Sequence, residues 1–189
     1  MNNGKWTGKR GNSKWVPDKD YIPGGNKPYA NPKNKTWGQI MKENKIAVIG
    51  LSGESIFMKM DHFNEEGETV IADTYHVEYG GKGYNQAVAA KRFGANVSFL
   101  TLCGDDEIAD KVEQTLIDEG INSLVIKRSN EKSASACIMI DKDGRNRVVC
   151  YPGVSSKMTK EDVLLFEEEI KTSKYLLLQL EMSDESLFE

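Results

Sequence analysis

The stretch Gly80-Gly81-Lys82-Gly83-Tyr84-Asn85-Gln86-Ala87-Val88-Ala89-Ala90-Lys91-Arg92-Phe93-Gly94 places three glycines directly ahead of an Ala/Val-faced helical run that a fourth glycine closes. Glycine gives the backbone the freedom a sharp bend needs, and Gly94 stands where a left-handed helix cap is favoured. The chain therefore turns tightly into a helix here. Before the bend, Ile56-Phe57-Met58-Lys59-Met60 and Thr69 to Tyr79 read as extended segments around the polar turn Asn64-Glu65-Glu66-Gly67, which predicts a small antiparallel flap.

Around this bend the pattern alternates between strand and helix. Lys45-Ile46-Ala47-Val48-Ile49-Gly50 is a short apolar run ending in glycine, the form of a buried parallel strand. Val97 to Leu102 returns to strand, Glu107 to Asp118 is an amphipathic helix stopped by Gly120, and Ser123 to Lys127 is a further strand. Ser135 to Ile140 and Arg147 to Tyr151 flank the turn-rich Asp141 to Asn146, which predicts a hairpin. Thr159 caps a helix whose apolar stripe is Val163, Leu164, Phe166 and Ile170, with Glu167, Glu168 and Glu169 on a solvated face. Tyr175 to Leu180 is expected to be a fully buried strand, and Ser183 to open another helix. This order of elements predicts an α/β fold.

Residues 1–44 are unlike the rest. They carry nine Lys or Arg against three acids, all three Trp and four of the five Pro, while the whole chain of 189 residues has a formal charge of -4. No periodicity of useful length runs through them, so the expected organisation is an irregular basic segment or fusion remnant at 1–44 followed by a domain at 45–189. Basic residues interleaved with aromatics are also the composition of a nucleic-acid patch, but a solvated tail is the reading adopted, with no nucleic-acid partner expected. No stretch approaches the roughly 20 apolar residues of a membrane helix, and the N-terminus lacks the apolar core of a secretory signal. A cytoplasmic protein without a membrane partner is expected. Cys103, Cys137 and Cys150 lack metal-ligand spacing and sit in apolar runs, so they are expected to be reduced core residues. No metal site is expected.

Spelling alone eliminates three phosphate loops at the bend. A P-loop needs Lys followed by Ser or Thr after its last glycine, and a dinucleotide fingerprint needs glycine where Gln86 stands. A protein-kinase loop needs a downstream His-Arg-Asp, yet the histidines are His62 and His76. Two readings remain open: a plain flap-to-helix turn, or a site where backbone, helix end, Lys82 and Asn85 receive hydroxyl groups.

The segment Gly80-Gly81-Lys82-Gly83-Tyr84-Asn85-Gln86-Ala87, with Gly94 and then Gly104, resembles the first signature of the ribokinase/PfkB carbohydrate kinase family. Gly67-Glu68-Thr69-Val70, Gly104-Asp105-Asp106 and Gln179-Leu180-Glu181 follow the family's order, so the likeness covers residues 45–189. It implies a ribokinase-like doubly wound sheet with a small β lid that closes over a sugar, and transfer of a phosphoryl group from ATP, with Mg²⁺, to a sugar hydroxyl. By that resemblance Gly81, Lys82, Gly83 and Asn85 form the sugar-contacting turn, and Glu181 is the sugar-binding acid. The family's hydroxyl-gripping Asn and Asp after the first strand align with Gly53 and Ser55, a departure that weakens the case for ribose as the sugar. Glu54 does not replace the Asp, because neighbouring strand residues face opposite ways.

The family's second signature, Asp-Thr-x-Gly-Ala-Gly-Asp, supplies the anion hole and catalytic base, and no such run occurs in this sequence. The chain is therefore expected to be an N-terminal fragment without a catalytic residue, inactive alone, since phosphoryl transfer rests on those groups. Asp105 and Asp106 read as a turn and helix cap rather than a base. The second class of function is a noncatalytic sugar-binding module or a homodimer paired through the lid.

Overall fold

The computed structural model describes residues 4–7, 14–17 and 44–184; the other positions, among them Trp37 and the helix expected beyond Ser183, lie outside the described residues. The chain divides into two units, 1–37 and 38–189. In the first, β1 (Gly4–Thr7) and β2 (Lys14–Pro17) pair antiparallel, with Trp6 opposite Trp15. Regular structure thus occurs where the sequence pattern predicts none, because four residues are too few for a period-two repeat to register.

The second unit runs β3 (Lys45–Ile49), β4 (Gly53–Lys59), β5 (Thr74–Gly80), α1 (Lys82–Arg92), β6 (Asn96–Gly104), α2 (Glu107–Asp118) and β7 (Asn122–Arg128). It continues with β8 (Ala134–Ile140), β9 (Asn146–Tyr151), a 3₁₀ turn at Gly153–Lys157, α3 (Lys160–Leu164), α4 (Glu167–Lys171) and β10 (Tyr175–Leu178). The central sheet has the order β10-β3-β6-β7, all parallel.

Strand alternation decides which side chains meet which layer. Ile46, Val48, Val97 and Phe99 pack with Tyr84, Ala87 and Val88 of α1 and Ala109, Val112 and Leu116 of α2. Their neighbours Ala47, Ile49, Leu100 and Leu102 face the other way, onto Val154, Met158 and Phe166. Phe99, Leu100 and Leu102 have no exposed surface, and each stabilises the fold by about 1.5–3 kcal/mol through burial. Helical and turn layers on both faces make this a doubly wound sheet.

A strand, a helix and the cysteines of the core unit depart from the sequence-based expectation. β10 was expected to be fully buried, yet Tyr175, Leu176 and Leu178 are 40%, 42% and 41% exposed, because the strand is the sheet edge and only Leu177 reaches the core. The helix after Thr159 breaks at Leu165–Phe166 into α3 and α4, which leaves Leu164 half exposed and buries Asp162 in its place, paired to Arg128. The cysteines also divide: Cys103 is buried and Cys137 half-buried, but Cys150 is exposed on β9, an edge strand.

The flap and the hairpin, which the sequence presents separately, form one sheet of order β5-β4-β8-β9. The joint is the parallel pairing of β4 with β8, from Gly53↔Ala134 to Lys59↔Ile140. Residues 69–73, expected to be extended, do not pair; Asp73 N–H instead donates to Lys59 C=O at 2.7 Å, and β5 starts at Thr74.

Asp106 ties this lid sheet to the core. It is the N-cap of α2, accepting from Ala109 N–H at 3.2 Å, and it also accepts from the Ser133 N–H at 2.9 Å and the Ser133 Oγ at 2.7 Å, just ahead of β8. Burial alone would raise its carboxyl pKa, but the Ser133 and Ala109 donors outweigh that and hold it below the usual 3.8. A depressed folded-state pKa means the contribution is whole above pH 3.8 and is lost as pH falls through the lower folded value. Asp106→Ala should lower stability by about 2 kcal/mol in urea unfolding at neutral pH, and the gap between variant and parent should shrink on acidification below pH 3.8.

Candidate functional site

The bend is built by Gly81, whose φ of 107° is one that residues with a Cβ rarely adopt. A Cβ there would also lie 2.6 Å from the Leu51 carbonyl oxygen, so the bend presses against the segment that leaves β3. Tyr84 N–H donates to that same Leu51 oxygen at 3.3 Å. Gly81 caps α1 without any side-chain acceptor, and no acidic residue stands in the first turn. The positive end of an 11-residue helix is therefore left uncapped by side chains.

Beside it lies a cleft of about 520 Å³ between the lid sheet and the ends of the core strands. Gly53, Ser55, Gly81, Lys82 and Glu181 all line it, so the structure brings five of the seven residues singled out in the sequence into one cavity. Gly83 and Asn85 do not line it. Gly83 is buried behind the bend, packed on Gly50. Asn85 is exposed on α1, where its amide oxygen lies 3.5 Å, and the Ser55 Oγ 3.8 Å, from the point a Cβ on Gly80 would occupy. It therefore stands at the rim nearest Ser55.

Lys82 and Glu181 form an ion pair inside the cleft wall, through Glu181 Oε1. The other carboxylate oxygen, Glu181 Oε2, is buried without a hydrogen-bond partner. A desolvated carboxylate oxygen left without a donor is costly, so Glu181 keeps unused acceptor capacity at the cleft wall. Gly53 is closed to side chains of any kind, because a Cβ would meet the Ala134 carbonyl oxygen at 2.1 Å, across the β4–β8 joint.

Sequence reading did not find Ser135, Ala136 and Cys150, which also line the cleft. They face Glu54, Ser55 and one another only through the β4–β8–β9 register, Ser55↔Ala136↔Cys150, and pairing between distant strands leaves no local signal. Glu54, set aside on the alternation argument, borders the cleft as well and accepts from Ser135 Oγ at 3.2 Å.

A family model described as pfkB family carbohydrate kinase matches residues 43–187. The chain belongs to that family. It is 35% identical over 137 residues to a ribokinase of Haemophilus influenzae, covering 72% of this chain and 45% of that one. A deoxyribokinase of Salmonella typhi is 32% identical over 144 residues, covering 76% of this chain and 47% of the relative. The solved structure of an Arabidopsis thaliana ribokinase complexed with ribose and ATP superposes with a TM-score of 0.63 at 26% identity, covering 77% of this chain and 47% of that one. The chain thus spans about half the length of the relatives it matches. The family fold is a ribokinase-like α/β sheet, as the doubly wound core and the lid display. Among the described residues, no helix is long and apolar enough to cross a membrane.

The hydrogen bond from Lys82 to Glu181, and then their mutual attraction, raise the Lys82 pKa above 10.5. A raised pKa keeps the Lys82 ammonium protonated below pH 10.5, and its part in the pair is lost as pH rises through the higher folded value. An NMR titration of the Lys82 ammonium should therefore give a midpoint above 10.5, and Glu181→Gln should lower that midpoint.

Proposed function

We propose that the cleft binds a sugar, and that this chain supplies the sugar-gripping, lid-bearing part of an ATP-dependent carbohydrate kinase. The observation that supports it most is Glu181: one oxygen held by Lys82, the other buried and unpaired at the wall of a cavity of about 520 Å³. That volume falls within the range of small-molecule sites. In this reading Glu181 Oε2 accepts a sugar hydroxyl, Lys82 fixes the carboxylate, the backbone at Gly81 presents the helix end, Gly83 lets that end pack closely on Gly50, and Asn85 and Ser55 meet the ring from the rim. Gly53 contributes no side chain, and the lid sheet, through Ser55, Ala136 and Cys150, closes one wall.

ATP enters this reading through the family and the Arabidopsis thaliana complex, and Mg²⁺ through the family resemblance alone. Among the described residues no three His, Cys, Asp or Glu side chains converge to hold a metal ion, and the Asp-Thr-x-Gly-Ala-Gly-Asp run is not in the sequence. Asp106, already spent on the α2 cap and Ser133, is held as an acceptor and has no free role as base. The part assigned to these residues is binding and orienting the acceptor hydroxyl and keeping water from one side of it; phosphoryl transfer is assigned to none of them.

Isothermal titration of ribose, 2-deoxyribose and hexoses should show binding of at least one sugar by the full chain. Glu181→Ala should weaken it about tenfold or more, the scale of one hydrogen bond to a charged group. Asn85→Ala should weaken it less. Equal heats for the parent and Glu181→Ala would remove that residue from the pocket.

The lid also carries exposed apolar residues, Tyr75 at 66%, Val149 at 65% and Tyr151 at 55%, on the edge strands β5 and β9. They support a second reading, self-association through the lid, for which edge strands offer unpaired backbone groups. Light scattering behind size exclusion should then give a mass that rises from monomer to dimer with concentration, and Val149→Lys should hold it at monomer.

A further inference from the structure

We propose that Gln179 is a positioning residue, which sets the cleft carboxylate opposite the bend by clamping the end of β10 to the first turns of α1. Gln179 follows directly on β10 and is 6% exposed. Its Nε2 donates to Gln86 Oε1 at 2.6 Å, across the space between sheet and helix. Its Oε1 is buried and has no hydrogen-bond partner. A Cβ on Gly50 would lie 1.8 Å from that oxygen, and a Cβ on Gly83 would lie 2.8 Å from it and 2.8 Å from Gly50 Cα. The carboxamide therefore fills a slot between the end of β3 and α1, floored by two backbones with no side chains.

Packing alone does not account for an amide in this slot. An apolar side chain of similar length would fill it without leaving an oxygen unmatched. What the amide adds is the bond to Gln86, and Gln86 stands four residues after Lys82, on the same face of α1. Glu181, in turn, stands two residues after Gln179. The same two segments are thus joined twice, by a buried rung from Gln179 to Gln86 and by an outer rung from Glu181 to Lys82. The Lys82 side chain is 69% exposed, and an exposed ion pair fixes little by itself. The inner rung sets the geometry that the outer one displays to the cleft. The functional consequence rests on the cleft being the sugar site, but the geometric claim does not.

Zero-length carbodiimide crosslinking of the full chain, with the products mapped by peptide mass spectrometry, reads this geometry without any sugar. The parent should yield a Lys82–Glu181 isopeptide, and a Lys127–Asp110 isopeptide from the pair at 2.7 Å serves as the internal standard. Gln179→Met and Gln86→Leu should each lower the Lys82–Glu181 product about fivefold against that standard, the scale of one lost hydrogen bond. Unchanged ratios in both variants would overturn the role. Should Gln179→Met lose both products through unfolding, Gln86→Leu, at an exposed helix position, decides the matter alone. A failed sugar titration with these ratios altered as expected would remove the sugar reading and leave the clamp intact.

Discussion

The close approach of the Gly81 bend to Leu51 is the contact on which the arrangement of this site depends. It combines a positive φ, a distance too short for a Cβ, and a hydrogen bond from Tyr84 N–H to the same carbonyl. Because α1 begins directly after the bend, this contact fixes where the positive end of the helix lies relative to the sheet. It also fixes where Lys82 projects, and hence which carboxylate it can meet. Moving the bend outward by the width of one methyl group would separate the helix end from the strand ends that supply the rest of the cleft wall.

The second constraint is the attachment of the lid. Away from the helices that meet β4 and β5, the four-stranded lid sheet has little burial to hold it, and β9 is exposed along its whole length. Its order comes from β4–β8 pairing and from Asp106, whose carboxylate serves the α2 cap and the strand-leading Ser133 at once. One side chain thus couples a core helix to the lid. The helix cap expected at Asp106 is thus also the anchor of the strand-leading Ser133.

The legible parts of the fold are those with local causes. The buried strand at Lys45 to Ile49, the helix at Glu107–Asp118 and the Thr159 cap follow from periodicity and capping chemistry, which act over a few residues. The family resemblance singled out Gly81 and Lys82 in the glycine segment and Glu181 in Gln179-Leu180-Glu181, three residues that share the cleft although the last is far away in sequence. Illegible were the features set by partners. Nothing in Ser135 to Ile140 says that it pairs in parallel with Gly53–Lys59, so Ser135, Ala136 and Cys150 could not be assigned to the cleft. Nor does Tyr175 to Leu180 reveal that it is an edge: a run of leucines reads as buried, while exposure depends on whether another strand follows it in space.

That edge position bears directly on the site. Glu181 lies three residues beyond β10, and among the described residues β10 pairs with β3 alone while two of its leucines stay about 40% exposed. The residue best placed to accept a hydroxyl is therefore carried by the least covered strand of the sheet. An edge strand held by one ladder is free to fray at its ends, which would swing Glu181 away from the bend and break its contact with Lys82. The parallel ladder from Tyr175↔Ile46 to Leu178↔Ile49 resists that along the strand, and the buried Gln179 resists it at the point where the strand ends. Anything that covers Leu176 and Leu178 would stabilise β10, and so hold the carboxylate opposite Lys82. In the proposed reading of the cleft, sugar affinity and cover of this edge are two equilibria coupled reciprocally by linkage.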